Sequence, residues 1–217
     1  MISRLRVACA ALVLAAAAPA AAQTASFDDR QSGFLTAKTG GMAPDAWQGT
    51  PLGTAKYLMS ALPAAPRSRA LRDLQFKVMV SQLGPPAADG SAAPSLFSRK
   101  VERLAAMGEG ENLNELVRSV DAFGDPWVGA TTANALMMAG ERTGACAIVQ
   151  HNTLSQPFAT RADIACKVAS GDNGGAMQAA AKLRGSDGGL ATLTRVAAGS
   201  LPPSAAPLSP LDGPAMV

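Results

Sequence analysis

The sequence predicts an all-α protein of stacked antiparallel helical hairpins with one inter-helix disulfide. Three observations carry that prediction. Between Ala55 and Ala197, apolar residues recur with the spacing of one face of an α-helix. No run alternates apolar and polar residues with β-branched side chains, so no strand is expected. Finally, a small or flexible residue, a glycine and an acid recur at 107–109, 139–141 and 170–172, placing Gly108, Gly140 and Gly171 at steps of 32 and 31 residues.

The chain of 217 residues opens with Arg4 and Arg6, an apolar run from Val7 to Ala18, and Ala20-Ala21-Ala22 ahead of Gln23. That order of basic, apolar and small residues predicts a signal peptide over 1–22, cleaved after Ala22, and hence an exported protein. Cys9 sits near the start of the apolar run, after Arg6-Val7-Ala8, and is read as part of the leader rather than a lipidation site. Cleavage leaves 217 − 22 = 195 residues, enough for one domain with flexible ends. It also lowers Lys+Arg from 19 to 17 against 16 Asp+Glu, a net charge near +1. There is no clustered Lys/Arg stripe, which argues against nucleic acid or anionic lipid as partner. No apolar stretch after Ala22 approaches the ~18 residues that cross a bilayer, so no membrane insertion is expected after cleavage.

Residues 23–51 mix Gly, Ser, Thr, Asp and Pro without a period and read as a flexible N-terminal arm, with Trp47 as its anchor on the adjoining domain. The helical-repeat domain is expected over 52–199. Ala55, Leu58, Met59 and Leu62 mark a first helix, stopped by Pro63. In a second, Leu71, Leu74, Val78 and Met79 share a face, with Arg69, Arg72, Asp73 and Lys77 mostly opposite, until Gly84-Pro85-Pro86. A third begins near Ser95 with Phe97, Val101, Leu104 and Ala105 and ends at Gly108. A fourth carries Leu113, Leu116, Val117 and Val120, with Asn112 and Glu115 spaced as a variant capping box.

Asp125-Pro126 has the form of N-cap and N1 for a fifth helix, through Trp127, Ala133, Leu136 and Met137 to Gly140. A sixth covers Arg142 to about Gln150. Thr160 and Asp163 have capping-box spacing ahead of Ile164 and Val168, which mark a seventh ending at Gly171. An eighth is expected from Asp172 to Leu183 and a ninth over Leu190, Leu193 and Ala197. Five prolines in 201–217 predict an extended, disordered tail (200–217), in which Leu201, Leu208 and Leu211 could be read by a partner as a short linear motif.

At each repeated junction the glycine suits a left-handed helix end and the acid suits the next helix N-terminus. The small or apolar residue five positions past the glycine, Leu113, Ala145 or Ala176, then faces the neighbouring helix. Through Gly140-Glu141 with Ala145, and Gly171-Asp172 with Ala176, the stretch from Ser95 to Leu183 resembles tetratricopeptide-like repeat proteins. The period falls short of that family's ~34 residues and its Trp and Tyr positions are not met in register. The whole layout, with an Ala-Cys pair in each of two successive hairpins, also resembles secreted helical proteins of unassigned function from α-proteobacteria. That resemblance implies a bacterial envelope setting and no activity.

Only Cys146 and Cys166 remain after leader cleavage, in a compartment where thiols pair, and they are expected to form a structural disulfide. Twenty residues of spacing does not suit a redox-active Cys-x-x-Cys pair. Zinc would need three or four ligands, and His151 alone could join the thiolates. His151 is the only histidine. Its spacing to Ser155 and Asp163 matches no nucleophile motif, and the end of a helix gives an imidazolium a simpler place. Glu109, Glu111 and Glu115 lie where acids stabilise a helix start, which outweighs a glycosidase reading. Gly108-Glu109-Gly110 lacks the third glycine and the strand of a dinucleotide site. Met137-Met138 suits core packing better than copper.

The expectation for function is therefore a non-catalytic protein–protein interaction or scaffold module of the bacterial cell envelope. It would be periplasmic, without cofactor or metal, with an envelope protein or peptide segment bound on a concave repeat surface. The alternative is an accessory or regulatory subunit of a cell-wall hydrolase or synthase. A cryptic enzyme built on His151 ranks third.

Overall fold

The structure, a computed structural model, describes residues 32–91, 94–183 and 188–205, with Pro214. The expected leader (1–22) with Cys9, the first part of the arm (23–31), and Leu208 and Leu211 of the tail lie outside the described residues. Among the described residues there are nine α-helices and no strand. They are α1 Leu52–Ala61, α2 Arg69–Val80, α3 Leu96–Ala106, α4 Gly110–Ser119, α5 Pro126–Met138, α6 Arg142–His151, α7 Phe158–Ala169, α8 Asn173–Ala180 and α9 Gly188–Ala197.

Side chains at the starts of four helices take up N–H groups that the helix itself leaves unpaired. Ser68 accepts from Leu71, Ser95 from Ser98, and Asp172 from Gly175, while Asp125 accepts from both Trp127 and Val128 with Pro126 in the first turn. Two expected capping boxes do not form. α4 starts at Gly110, before Asn112, whose amide instead donates to Glu109 Oε2 at 2.9 Å. α7 starts at Phe158, so Thr160 lies inside it, donating to Gln156 Oε1 at 3.0 Å, and Asp163 pairs one turn on with Lys167. In both cases the helix starts ahead of the expected cap residue, which leaves that residue inside the first turn, bonded to a different side chain.

The junction turns repeat in detail. Gly108, Gly140 and Gly171 have φ of 76°, 84° and 82°. The acids after them adopt nearly one conformation, with φ/ψ of −88/55 at Glu109, −80/61 at Glu141 and −78/65 at Asp172. In each turn the glycine N–H reaches back three residues and the acid N–H five, as in Glu109 to Leu104, Glu141 to Leu136 and Asp172 to Lys167. This is the Schellman pattern. A fourth copy closes α9, where Gly199 has φ 72°, its N–H bonds Val196, and Ser200 bonds Arg195 at 2.8 Å. The sequence hides this copy because a serine replaces the acid.

Contacts between helices follow chain order. α1, α3, α5, α7 and α9 touch in series as a spine, and α4, α6 and α8 each pack against both spine helices that flank them. Leu113, Ala145 and Ala176, one per flanking helix, are fully buried. The core divides accordingly into three successive clusters, around Phe97, Leu104, Leu113 and Leu116, around Ala133, Leu136, Ala145 and Ile148, and around Ile164, Ala176 and Leu190. α5 lies between the first two and is buried around most of its circumference, through Val128, Ala130, Thr132, Ala133, Ala135, Leu136 and Met137. α2 stands apart, reaching the body chiefly through α3.

Residues 32–51, the described part of the expected arm, run along the segment that follows α2. Phe34 and Leu35 donate to the Val80 carbonyl, Gln82 donates to Leu35, Gly84 to Pro44, and Thr50 accepts from Ala87. These bonds satisfy backbone on both segments without forming a sheet, which explains how an aperiodic stretch is held. Trp47 packs against the first core cluster.

Candidate functional site

The disulfide forms as expected. Cys146 in α6 and Cys166 in α7 are bonded, with Cα atoms 5.5 Å apart, a spacing that adjacent packed helices supply. The remaining chemical candidates do not gather. His151 is the last residue of α6 and is exposed. Glu109 and Glu111 share a polar recess of about 240 Å³ with Glu141 at the α3–α4 and α5–α6 turns, and Glu115 is exposed on α4. Glu109 is engaged by Arg72 at 2.9 Å and by Asn112. Among the described residues no three His, Cys, Asp or Glu side chains form a metal-sized group. Met137 is buried in the second core cluster, whereas Met138 is exposed.

Gly110 has a packing role that its place beside Gly108 does not reveal. A Cβ there would lie 2.9 Å from the Ala135 carbonyl oxygen, so the glycine lets α4 meet the backbone of α5.

Among the described residues, Asp89 and Lys100 sit in surroundings that move them from their ordinary values. Asp89 is exposed but lowered, first by the Ser91 hydroxyl and then by the backbone N–H of Gly53, which it receives at 2.7 Å at the start of α1. Lys100 in α3 is buried, and desolvation lowers it to about 8. Its ammonium donates to the Ser32 carbonyl and hydroxyl, both at 3.0 Å. This long-range contact ties the arm to the core, and the sequence offers no signal for it beyond a lysine on the same face as Phe97 and Leu104.

An apolar concave feature lies between α1 and α2. Only part of the apolar face expected on each of these helices is covered. Met59 and Met79 are buried, yet Leu58, Leu71 and Leu74 are 47%, 40% and 51% exposed. The apolar residues of the two helices line one space without closing it. They leave a groove of about 300 Å³ lined by Leu58, Leu62, Leu71, Leu74 and Val78, with Trp47 and Gln75 also facing it. Tyr57, at 72% exposure, stands beside Leu58 on α1.

Two polar atoms sit in this apolar wall. Gln75 is 1% exposed, and its amide nitrogen donates to the Pro63 carbonyl at 3.4 Å. Its Oε1 is buried and has no partner among the described residues, and the same holds for Trp47 Nε1. A buried unpaired donor or acceptor costs roughly 1–3 kcal/mol, so both atoms are points of local destabilisation beneath the groove. Sequence reasoning finds Trp47 as an anchor but misses Gln75, which sits among the apolar positions of α2 with nothing to mark it as polar and buried.

No protein family, no curated protein and no solved structure matches this chain.

Proposed function

We propose that this chain is a non-catalytic protein–protein interaction module of the bacterial cell envelope, acting in the periplasm after removal of its leader. The observation that carries the reading is the α1–α2 groove. Monomeric proteins seldom leave clustered leucines on facing helices open to water, and an apolar concavity with a few polar groups is the ordinary form of a binding site. This reading assigns binding to the α1–α2 groove and not to a concave repeat surface.

A tetratricopeptide-like stack is the architecture that fits best. The serial contacts of the spine helices and the four like turns at Gly108, Gly140, Gly171 and Gly199 support it. The Cys146–Cys166 bond supports an oxidising compartment, and no helix among the described residues is long and apolar enough to cross a membrane.

The test is site-specific photo-crosslinking in cells. A benzophenone side chain replacing Tyr57, beside the groove, should give one discrete adduct with an envelope protein. The same group at Gln178, exposed on distant α8, should give none. No adduct from Tyr57, or the same adduct from both positions, would reject the proposal.

A further inference from the structure

We infer that Asn173-Gly174, in the first turn of α8, is a self-modifying site: its side-chain amide is lost as ammonia, and the isoaspartate formed there unlatches α8. The inference is independent of the α1–α2 groove.

The residue pair is the first ground. Of the five asparagines in the chain, only Asn173 precedes a glycine, whereas Asn112, Asn114, Asn134 and Asn152 precede Leu113, Glu115, Ala135 and Thr153. In this reaction the backbone nitrogen after an asparagine attacks that residue's side-chain carbonyl carbon, and a side chain on the attacking residue obstructs the approach. Glycine removes the obstruction and frees the backbone torsions that ring closure needs.

The bond between Gly174 N and Asn173 Cγ forms, the Cγ–Nδ2 bond breaks, and the Gly174 amide proton leaves with the side-chain nitrogen as ammonia. Water then opens the cyclic imide. Opening at Cγ gives aspartate. Opening at the backbone carbonyl carbon gives isoaspartate, in which the main chain runs through Cβ. The sum is asparagine and water to aspartate or isoaspartate and ammonia, so no oxidant or reductant is consumed.

The setting is the second ground. Asn173 and Gly174 are both exposed, and the space around the Gly174 Cβ position is open. The Gly174 N–H has no partner among the described residues, and the Asp172 cap bonds Gly175 instead, at 2.9 Å. The other asparagines are held: Asn112, Asn114 and Asn134 lie inside α4 and α5, and the Asn152 amide donates to the Ile148 carbonyl at 3.0 Å.

Helical backbone keeps the Gly174 nitrogen off the line of attack, so the reaction waits for the first turn of α8 to open. Gly174 and Gly175 each weaken the helix about fivefold relative to alanine, and the buried residues of α8 are only Ala176 and Ala180. The Asp172 side chain is the latch that opposes opening. Isoaspartate lengthens the main chain between Asp172 and Gly175 and carries the Gly175 N–H away from that latch. Ala176 and Ala180 share the third core cluster with Leu190 of α9, so the loosening passes to α9.

The experiment ages the oxidised chain, residues 23–217, at mildly alkaline pH, maps it by mass spectrometry and counts isoaspartate by enzymatic methyl labelling. Asn173 should lose its amide ahead of the other four asparagines, with isoaspartate among the products. Gly174→Ala should slow the loss at least fivefold, and Asp172→Ala should speed it about fivefold. Asp172→Ser, which caps without a charge, should return the rate to that of the parent. In the isoaspartate fraction, amide exchange should rise over α8 and α9 and stay the same in α3, while Asn173→Asp, the other product, should exchange as the parent does.

Equal rates at all five asparagines, or an unaltered rate in Gly174→Ala, overturns the site. One rate shared by Asp172→Ala and Asp172→Ser overturns the cap as its latch. Parent-like exchange in the isoaspartate fraction overturns the unlatching of α8.

Discussion

Lys100 reaches Ser32 across 68 residues of sequence, and both of their hydrogen bonds, at 3.0 Å, lie in the interior. Burial lowers the lysine from 10.5 to about 8, so the folded protein disfavours its charged form. Below pH 8 both folded and unfolded chains hold the proton, and the cost of burying it is constant. Between pH 8 and 10.5 the unfolded chain binds more protons than the folded one, so this group makes stability rise with pH. The full window corresponds to about 3 kcal/mol. Chemical denaturation at several pH values should show that rise in the wild type relative to Lys100→Met. Parallel curves for the two proteins would show that Lys100 is not the titrating group.

The junction glycines make a prediction in which one chemical change has opposite signs at two sites. Gly140 has φ 84° and open space around its Cβ position, so Gly140→Ala suffers only the left-handed backbone penalty, about 1 kcal/mol. Gly174, exposed in the first turns of α8 with equally open space, has no such conformation to hold, and Gly174→Ala should stabilise by up to about 1 kcal/mol. Denaturant midpoints decide between this and a general tolerance of alanine.

Why some of this was legible in the sequence follows from its physical origin. Local signals are written in adjacent residues: Asp125-Pro126 starts α5, Ser95 starts α3, and the glycine-acid pairs end α3, α5 and α7. The all-helical class and the Cys146–Cys166 bond follow from the same kind of reading. The groove was not legible. Periodicity says that Leu58, Leu71 and Leu74 share faces with Met59 and Met79, but only tertiary placement decides which of them are covered. The fourth turn at Gly199 escaped because its repeat is in backbone geometry and not in side chains, and Gly110 because its reason is the backbone of another helix.

α2 should be the least protected of the long helices. Its buried residues, Gln75, Met79 and Val80, all lie in its second half, and it meets the body chiefly through α3. α5 buries residues along nearly its whole length and touches both flanking helices. Amide hydrogen exchange should therefore be fast over 69–74 and slowest in α5, because local opening costs least where few apolar contacts are lost. Equal protection in the two helices would mean that α2 unfolds only with the whole molecule. The same exposure means that Leu74→Ser should alter stability by only about 0.5 kcal/mol, whereas Leu104→Ala, at a fully buried position of α3, should cost about 2–5 kcal/mol.

The disulfide joins α6 to α7, and therefore one flanking helix to the next spine helix. The bonded residues are 20 apart, and closing such a loop in the unfolded chain stabilises by about 3 kcal/mol in the chain-entropy account. For a domain of this size, that corresponds to a fall of about 10 °C in melting temperature on reduction. Cys146→Ser should show the same fall under oxidising conditions and no further change with reductant. Both cysteines pack in the second core cluster, and α7, which carries Cys166, also supplies Ile164 to the third, so loss of the bond should raise exchange in α6 to α9 more than in α3. A uniform rise across all helices would show that the helices unfold as one cooperative unit and that the bond stabilises it globally.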